Sequence, residues 1–193
     1  IKVMKDLEKY VIKIEKFISP DLCDQAVEGL SQLNTWWQHE YFSTDGKLTP
    51  IKRSGKNELW CTHWLESPIN KQLENIAMNG ALQYINYFKF PWFSNLEALT
   101  QLKYNRYASK QKMQMHCDHI KQIFDGTVKG VPIISLIGNL NEDYRGGEFV
   151  MWGDTEIKLK KGDLLIFPSN FLYAHKVNPV KKGKRYSFVS WGF

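Results

Sequence analysis

The feature that most constrains this chain is a change of period at Glu97. Beyond it, short runs rich in β-branched and aromatic residues recur over 98–107, 113–118, 131–140, 147–152, 155–159, 163–167, 172–177 and 184–192. Turn residues punctuate them at Asp125-Gly126, Asn141-Glu142-Asp143, Gly146-Gly147, Gly153-Asp154, Lys161-Gly162 and Asn178-Pro179. Side chains that alternate with a period of two cannot lay one apolar stripe along a helix, so this half must pair as strands. Eight short strands with such turns predict a sandwich or jelly roll.

Before Glu97 the pattern is mixed. Residues 10–18 alternate and are expected as a strand. Ser19-Pro20-Asp21 then supplies an N-cap with proline at the first helical position, which predicts a helix over roughly 20–33. A short strand is expected over 57–63, and Ser67-Pro68 repeats the cap-plus-proline signal before a helical pattern through about Tyr87. Residues 88–96 read as an aromatic connector. The expected fold class is therefore α+β, mainly β, with the N-terminal helices supporting a jelly roll. No linker-like composition separates the halves, so one domain is expected over 1–193, with 1–96 as support and 97–193 as the core.

At 193 residues the chain is long enough to bury a substantial core without disulfides, and 43% hydrophobic with 24% charged residues excludes disordered and fibrous classes. The most apolar stretch, Val131 to Leu140, is interrupted by Pro132, Ser135, Gly138 and Asn139 and falls far short of the roughly 20 residues needed to span a bilayer. No membrane association is expected. Charges interleave the first 25 residues, leaving no apolar run for a secretory signal, and three cysteines agree with a reducing compartment. The expectation is cytoplasmic.

The chemistry is carried by a few residues. In the run Met113 to Asp118, His116 and Asp118 are two apart and so point to one face of a strand, with Cys117 on the other. His175 lies in a later strand and completes a set of two histidines and one carboxylate. Such a set leaves coordination positions open and suits non-haem Fe(II), while no cysteine cluster favours structural zinc. Ten residues after His175, across the turn 178–183, comes Arg185. A strand, a turn and a returning strand bring the two together, and an inward guanidinium needs an anion, for which its planar fork suits a carboxylate. Ser187 shares the face of Arg185.

In order, Tyr107, His116-Cys117-Asp118, Asn139-Leu140-Asn141, Gly146-Gly147-Glu148-Phe149, Lys161-Gly162-Asp163-Leu164-Leu165-Ile166-Phe167, His175-Lys176-Val177 and Arg185-Tyr186-Ser187 resemble the iron- and 2-oxoglutarate-dependent oxygenases, within them most the prolyl 4-hydroxylase-like group. The resemblance covers about 100–193. It implies a double-stranded β-helix with iron held by His116, Asp118 and His175. It also implies that 2-oxoglutarate chelates the metal and pairs its far carboxylate with Arg185, with Tyr107 and Ser187 as supporting donors. Some relatives place a tyrosine in the strand before the Gly-Gly turn, where this chain has Gly138-Asn139, so Tyr104 stands as the alternative to Tyr107. The reaction implied uses O2, with ascorbate as an accessory reductant, and hydroxylates a C–H bond with release of succinate and CO2.

The substrate expected from the resemblance is a protein or peptide side chain, prolyl first. Nucleobases, which the basic second half would suit, and free amino acids are the alternatives, and a non-catalytic jelly-roll binding module is the reading from another class. Against nucleic acid stands Trp191, six residues past Arg185, where nucleic-acid demethylase relatives usually carry a second arginine. Trp191 is expected to wall the barrel, and Arg145 and Trp152 to flank its mouth. Trp36, Trp37, Trp60, Trp64 and Trp92 are expected in packing, His119 away from the metal, and Cys61-x-His63 as coincidence. The whole net charge of +6 lies in 97–193, concentrated in Lys103, Arg106, Lys110 and Lys112 and in Lys176, Lys181, Lys182, Lys184 and Arg185. Those two groups flank His116 and His175 and are expected to form an anion-handling face.

Overall fold

The structure, a computed structural model, describes residues 6–39, 41–42, 50–51, 57–93, 95–118 and 131–193; His119 and the turn at Asp125-Gly126 lie outside them. Among the described residues the strands are β1 (Ile12–Ile14), β2 (Trp37–Gln38), β3 (Tyr41–Phe42), β4 (Pro50–Ile51), β5 (Trp60–Thr62), β6 (Lys103–Tyr107), β7 (Met113–His116) and β8 (Ile134–Asn139). They continue with β9 (Arg145–Gly146), β10 (Phe149–Met151), β11 (Thr155–Ile157), β12 (Leu164–Pro168), β13 (His175–Val177), β14 (Val180–Lys182) and β15 (Arg185–Gly192). The helices are α1 (Pro20–Gln32) and α2 (Pro68–Phe88), with a 3-10 turn over Leu7–Tyr10.

Both helices start where serine and proline coincide. Ser19 Oγ accepts the Leu22 N–H at 3.3 Å and Ser67 Oγ accepts the Ile69 N–H at 3.2 Å, while the prolines fill positions whose missing N–H costs nothing. The strand expected over 10–18 is confined to β1, because Leu7–Tyr10 closes into a 3-10 turn just before it.

The strands form a double-stranded β-helix. One sheet runs β1-β12-β8-β15-β6-β5-β2 and the other β11-β10-β13-β7, with every named pairing antiparallel. Alternation then sorts each strand of the large sheet onto two cores. Leu136, Leu164, Ile166, Tyr104, Tyr186 and Phe188 face the helices and pack with Leu22, Leu30, Leu73 and Ala77. Ile137, Leu165, Phe167, Tyr107 and Val189 face the second sheet and pack with Phe149, Met151 and Val177. Gly80 sits on α2 where a Cβ would lie 2.3 Å from Leu164 Cδ2, so glycine sets how closely that helix approaches the sheet.

This parity sorts the basic residues expected to flank the metal cluster. Arg106 alternates onto the helix side, its guanidinium 4.4 Å from the Trp36 ring centroid, and Lys110, Lys181, Lys182 and Lys184 are exposed. In the inward-facing row of β6 and β15, the cations are Lys103 and Arg185.

Candidate active site

β13 and β7 are neighbours, and their register sets His175 opposite His116. The two imidazole centroids are 4.4 Å apart. Asp118, just past β7, brings Oδ1 to 3.3 Å from His116 Nε2 and 3.7 Å from His175 Nε2. One ligand atom from each of the three lies within 4.8 Å of the others, and among the described residues theirs is the group of histidine, cysteine and acidic side chains so arranged.

Each ligand is aimed by a second contact. His116 Nδ1 bonds the Gln114 carbonyl at 2.8 Å and His175 Nδ1 the Tyr173 carbonyl at 3.0 Å. A carbonyl only accepts, so the Nδ1 atoms carry the protons and the Nε2 lone pairs face the centre. Ser135 donates to Asp118 Oδ2 at 2.7 Å and lies 2.8 Å from Ser169 Oγ. Phe149 and Phe167 pack on His175 with centroids at 5.2 and 5.0 Å.

The electrostatics suit a cation. Burial pushes His175 down to about 4, against the pull of Asp118, so the ring is neutral at pH 7 and has no proton to displace. Burial would raise Asp118, but His175, His116 and the Ser135 hydroxyl outweigh it and hold the carboxyl below the usual carboxylate range. Two imidazoles and a carboxylate converging on one point fit Fe(II).

Arg185 opens β15 opposite Tyr107 of β6. Its side chain is 1% exposed, and Nε and Nη2 have no hydrogen-bond partner among the described residues. The guanidinium carbon is 5.1 Å from the Tyr107 ring centroid, and burial raises the Tyr107 phenol so that it stays protonated. A buried guanidinium with idle donors is costly unless an anion completes it, and a carboxylate fits. Ser187, on the same face and 1% exposed, pairs with Asn105 and Asn139. Arg185 also lines a cavity of about 140 Å³ with Tyr144, Gly147, Phe149 and Leu159. Gly147 is required there: at φ 68° an added Cβ would lie 3.0 Å from Val180 Cγ2 and 3.3 Å from Arg185 Cδ.

Tyr104 does not belong to this group. Three residues from Tyr107, it alternates to the helix side, where its hydroxyl donates to Asn70 Oδ1 at 2.8 Å. The expected alternative to Tyr107 is corrected on that ground. Tyr144, which the sequence reading did not single out, lines the Arg185 cavity, and its OH donates to Asn139 Oδ1 at 3.4 Å. Cys61 donates to Asn105 Oδ1 at 3.3 Å and His63 Nδ1 bonds the Leu102 carbonyl at 2.9 Å, and neither joins a cluster of metal-ligating side chains among the described residues. Trp152 donates to the Leu172 carbonyl at 2.8 Å and leans on Tyr173, while Arg145 is exposed.

Two residues were missed. Ser135 carried no spacing signal, since its role depends on β8 lying beside Asp118. His39 follows β2, and its ring is pushed down to about 3 by burial and by the charges of Lys103 and His116, with Asp118 opposing. Trp36-Trp37-Gln38-His39 gave no periodicity long enough to mark β2.

The comparisons with known proteins agree with this geometry. A PKHD-type hydroxylase of Saccharophagus degradans is 30% identical over 194 residues, covering 94% of this chain and 77% of the relative. One of Pseudomonas aeruginosa (strain LESB58) is 32% identical over 158 residues, covering 76% of this chain and 66% of that relative, so the chain spans just under two thirds of its length. Among solved structures, a prolyl hydroxylase from Trichoplax adhaerens in complex with a hypoxia inducible factor oxygen degradation domain peptide fragment superposes with a TM-score of 0.70 at 15% identity, over 95% of this chain and 83% of that one. A viral collagen prolyl hydroxylase from Paramecium Bursaria Chlorella virus-1 gives 0.66 at 19% identity, over 99% and 95%. These two share the fold. Residues 102–193, which carry both the His-Asp-His cluster and the idle arginine, match the family described as the 2OG-Fe(II) oxygenase superfamily, and with the 30% identical relative this places the chain in that family.

Proposed function

We propose that this protein is an Fe(II)- and 2-oxoglutarate-dependent dioxygenase that hydroxylates a C–H bond of an amino-acid residue, with a peptide or protein as the substrate class. The observation that carries the reading is the pairing of a metal-ligand cluster with a buried, uncompleted guanidinium inside one barrel. Family membership implies Fe(II), 2-oxoglutarate and O2. The peptide class rests on the fold neighbours, one of them in complex with a peptide fragment.

His116, Asp118 and His175 would hold the metal, and Arg185 would pair the far carboxylate of 2-oxoglutarate with Tyr107 and Ser187 beside it. When bound, iron and 2-oxoglutarate supply the O2-dependent oxidation, with succinate and CO2 as products. The chain's own work is orientation and exclusion. The Gln114 and Tyr173 carbonyls fix the imidazole tautomers, Ser135 turns Asp118 so that Oδ1 faces inward, and Phe149, Phe167 and Met151 keep water from the rear of the cluster. Arg185, with Nε and Nη2 unmatched, would hold a cosubstrate carboxylate and so help to orient the molecule.

Anaerobic addition of Fe(II) and 2-oxoglutarate should give a visible metal-to-ligand absorption band, and His175→Ala should abolish it. Succinate release in air should follow the band. Absence of both from the wild type overturns the reading.

A further inference from the structure

The inward row of the large sheet has two charged ends. The register sets Arg185 opposite Tyr107 and Lys103 opposite Val189, so the two cations lie at opposite ends of the β6–β15 pair. At the Lys103 end stands Trp191, with the Lys103 ammonium 4.7 Å from its ring centroid. Trp191 is in turn the register partner of Ser135, the residue whose hydroxyl holds Asp118. Lys103 therefore lies across β15 from the strand of Ser135, at the end of the pair away from Arg185. Its charge also acts on His39 alongside those of His116 and Asp118, which puts all four in one electrostatic neighbourhood.

This lysine is half-buried, and among the described residues no carboxylate lies within ion-pair distance of it. The indole face holds the ammonium at 4.7 Å, and among the described residues its N–H donors have no hydrogen-bond acceptor. A cation held in place beside a reaction centre, with an aromatic wall against it, is built to receive an anionic group attached to an apolar skeleton.

We infer that Lys103 and Trp191 form a substrate-binding element for a free carboxylate, with the ammonium taking the carboxylate and the indole packing against the adjoining carbon skeleton. This rests on the reading of His116, Asp118 and His175 as the iron site. It narrows the substrate from an amino-acid residue in general to one whose carboxyl group is free, which is true of the last residue of a peptide and of a free amino acid. The interior residue of a chain, whose carboxyl is an amide, lacks the recognised group.

The test uses the protein with Fe(II), 2-oxoglutarate and O2, offered the standard free amino acids, short peptides ending in each of them, and the same compounds with amidated C-termini. Products are identified by the mass of one added oxygen. Oxidation is expected of acids, with amidation lowering kcat/KM about tenfold or more. Lys103→Met should remove that preference and Lys103→Arg should keep it. Tryptophan fluorescence of the metal-free protein should respond to the best acid in the wild type and not in Lys103→Met. Which acids react separates the terminal peptide residue from the free amino acid. Equal turnover of acid and amide, an unchanged ratio in Lys103→Met, or oxidation of no carboxylate compound overturns the inference. If the visible band and uncoupled succinate release persist in that outcome, this inference alone fails; if they too are missing, the iron-site reading fails with it.

Discussion

Ser135 donates to one oxygen of Asp118 and leaves the other facing both imidazoles. The bond is 2.7 Å long and buried, and the Ser135 hydroxyl, having donated its proton, is placed to accept from Ser169 at 2.8 Å. The orientation of a metal-binding carboxylate is thus set from the large sheet, whereas both histidines belong to the small one. Ser135→Ala should weaken Fe(II) binding roughly 10- to 100-fold while leaving the barrel folded. Titration of the visible band with iron, with circular dichroism as the folding control, checks it; unchanged affinity would show that Asp118 needs no such support.

Arg185 gives a prediction about stability as well as affinity. Its guanidinium is buried with two nitrogens unmatched, so 2-oxoglutarate should stabilise the wild type by about 2.7 kcal/mol at one hundred times its Kd. For a chain of this size that is roughly 5–10 °C in Tm. Arg185→Met should lose the thermal shift, and should itself melt no lower than the ligand-free wild type because the uncompensated charge is gone. Thermal melts with and without 2-oxoglutarate decide the matter.

The two tyrosines of β6 should separate cleanly. Tyr107→Phe is expected to raise the KM for 2-oxoglutarate several-fold. Tyr104→Phe should leave it unchanged and cost about 1–3 kcal/mol of stability, because Asn70 Oδ1 loses its buried donor. A change in 2-oxoglutarate KM in the Tyr104 variant would count against the face assignment.

Acid should unfold the metal-free protein in a defined window. His175 titrates near 6.5 when unfolded and near 4 when folded, so the unfolded chain binds more protons between those values. Stability is complete above pH 6.5 and falls as pH drops toward about 4, by up to about 3 kcal/mol. Asp118, held low in the folded state, adds its loss only below the ordinary aspartate range. Urea melts from pH 7 to 4 should show the decline, and His175→Gln should reduce it, leaving the part contributed by His39, whose ring is likewise pushed down, to about 3.

Much of this was legible in the sequence, for reasons that differ by residue. His116 and Asp118 were readable because a two-residue spacing favours a shared face. The expected hairpin between His175 and Arg185 does not form: β13 pairs with β10 and β7 and β15 with β6 and β8, so the two residues stand on different sheets. Both helices were readable because serine followed by proline is a local signal, complete within two residues. Tyr104 stayed open as the alternative to Tyr107 because choosing between them needs the parity of β6 relative to Arg185, and register is a property of two strands. β2 and β9 left no trace, being two residues long, and β14 lies in the segment read as the turn 178–183. Ser135 and His39 were invisible for a related reason: each acts on residues far away in sequence.

The facing of His175 and His116 across β13 and β7 has a consequence for how the molecule assembles. The two residues come together only when strands widely separated along the chain have already docked, so loop closure must precede ligation. A metal that needs both histidines meets its complete set of ligands only in a barrel closed in this register.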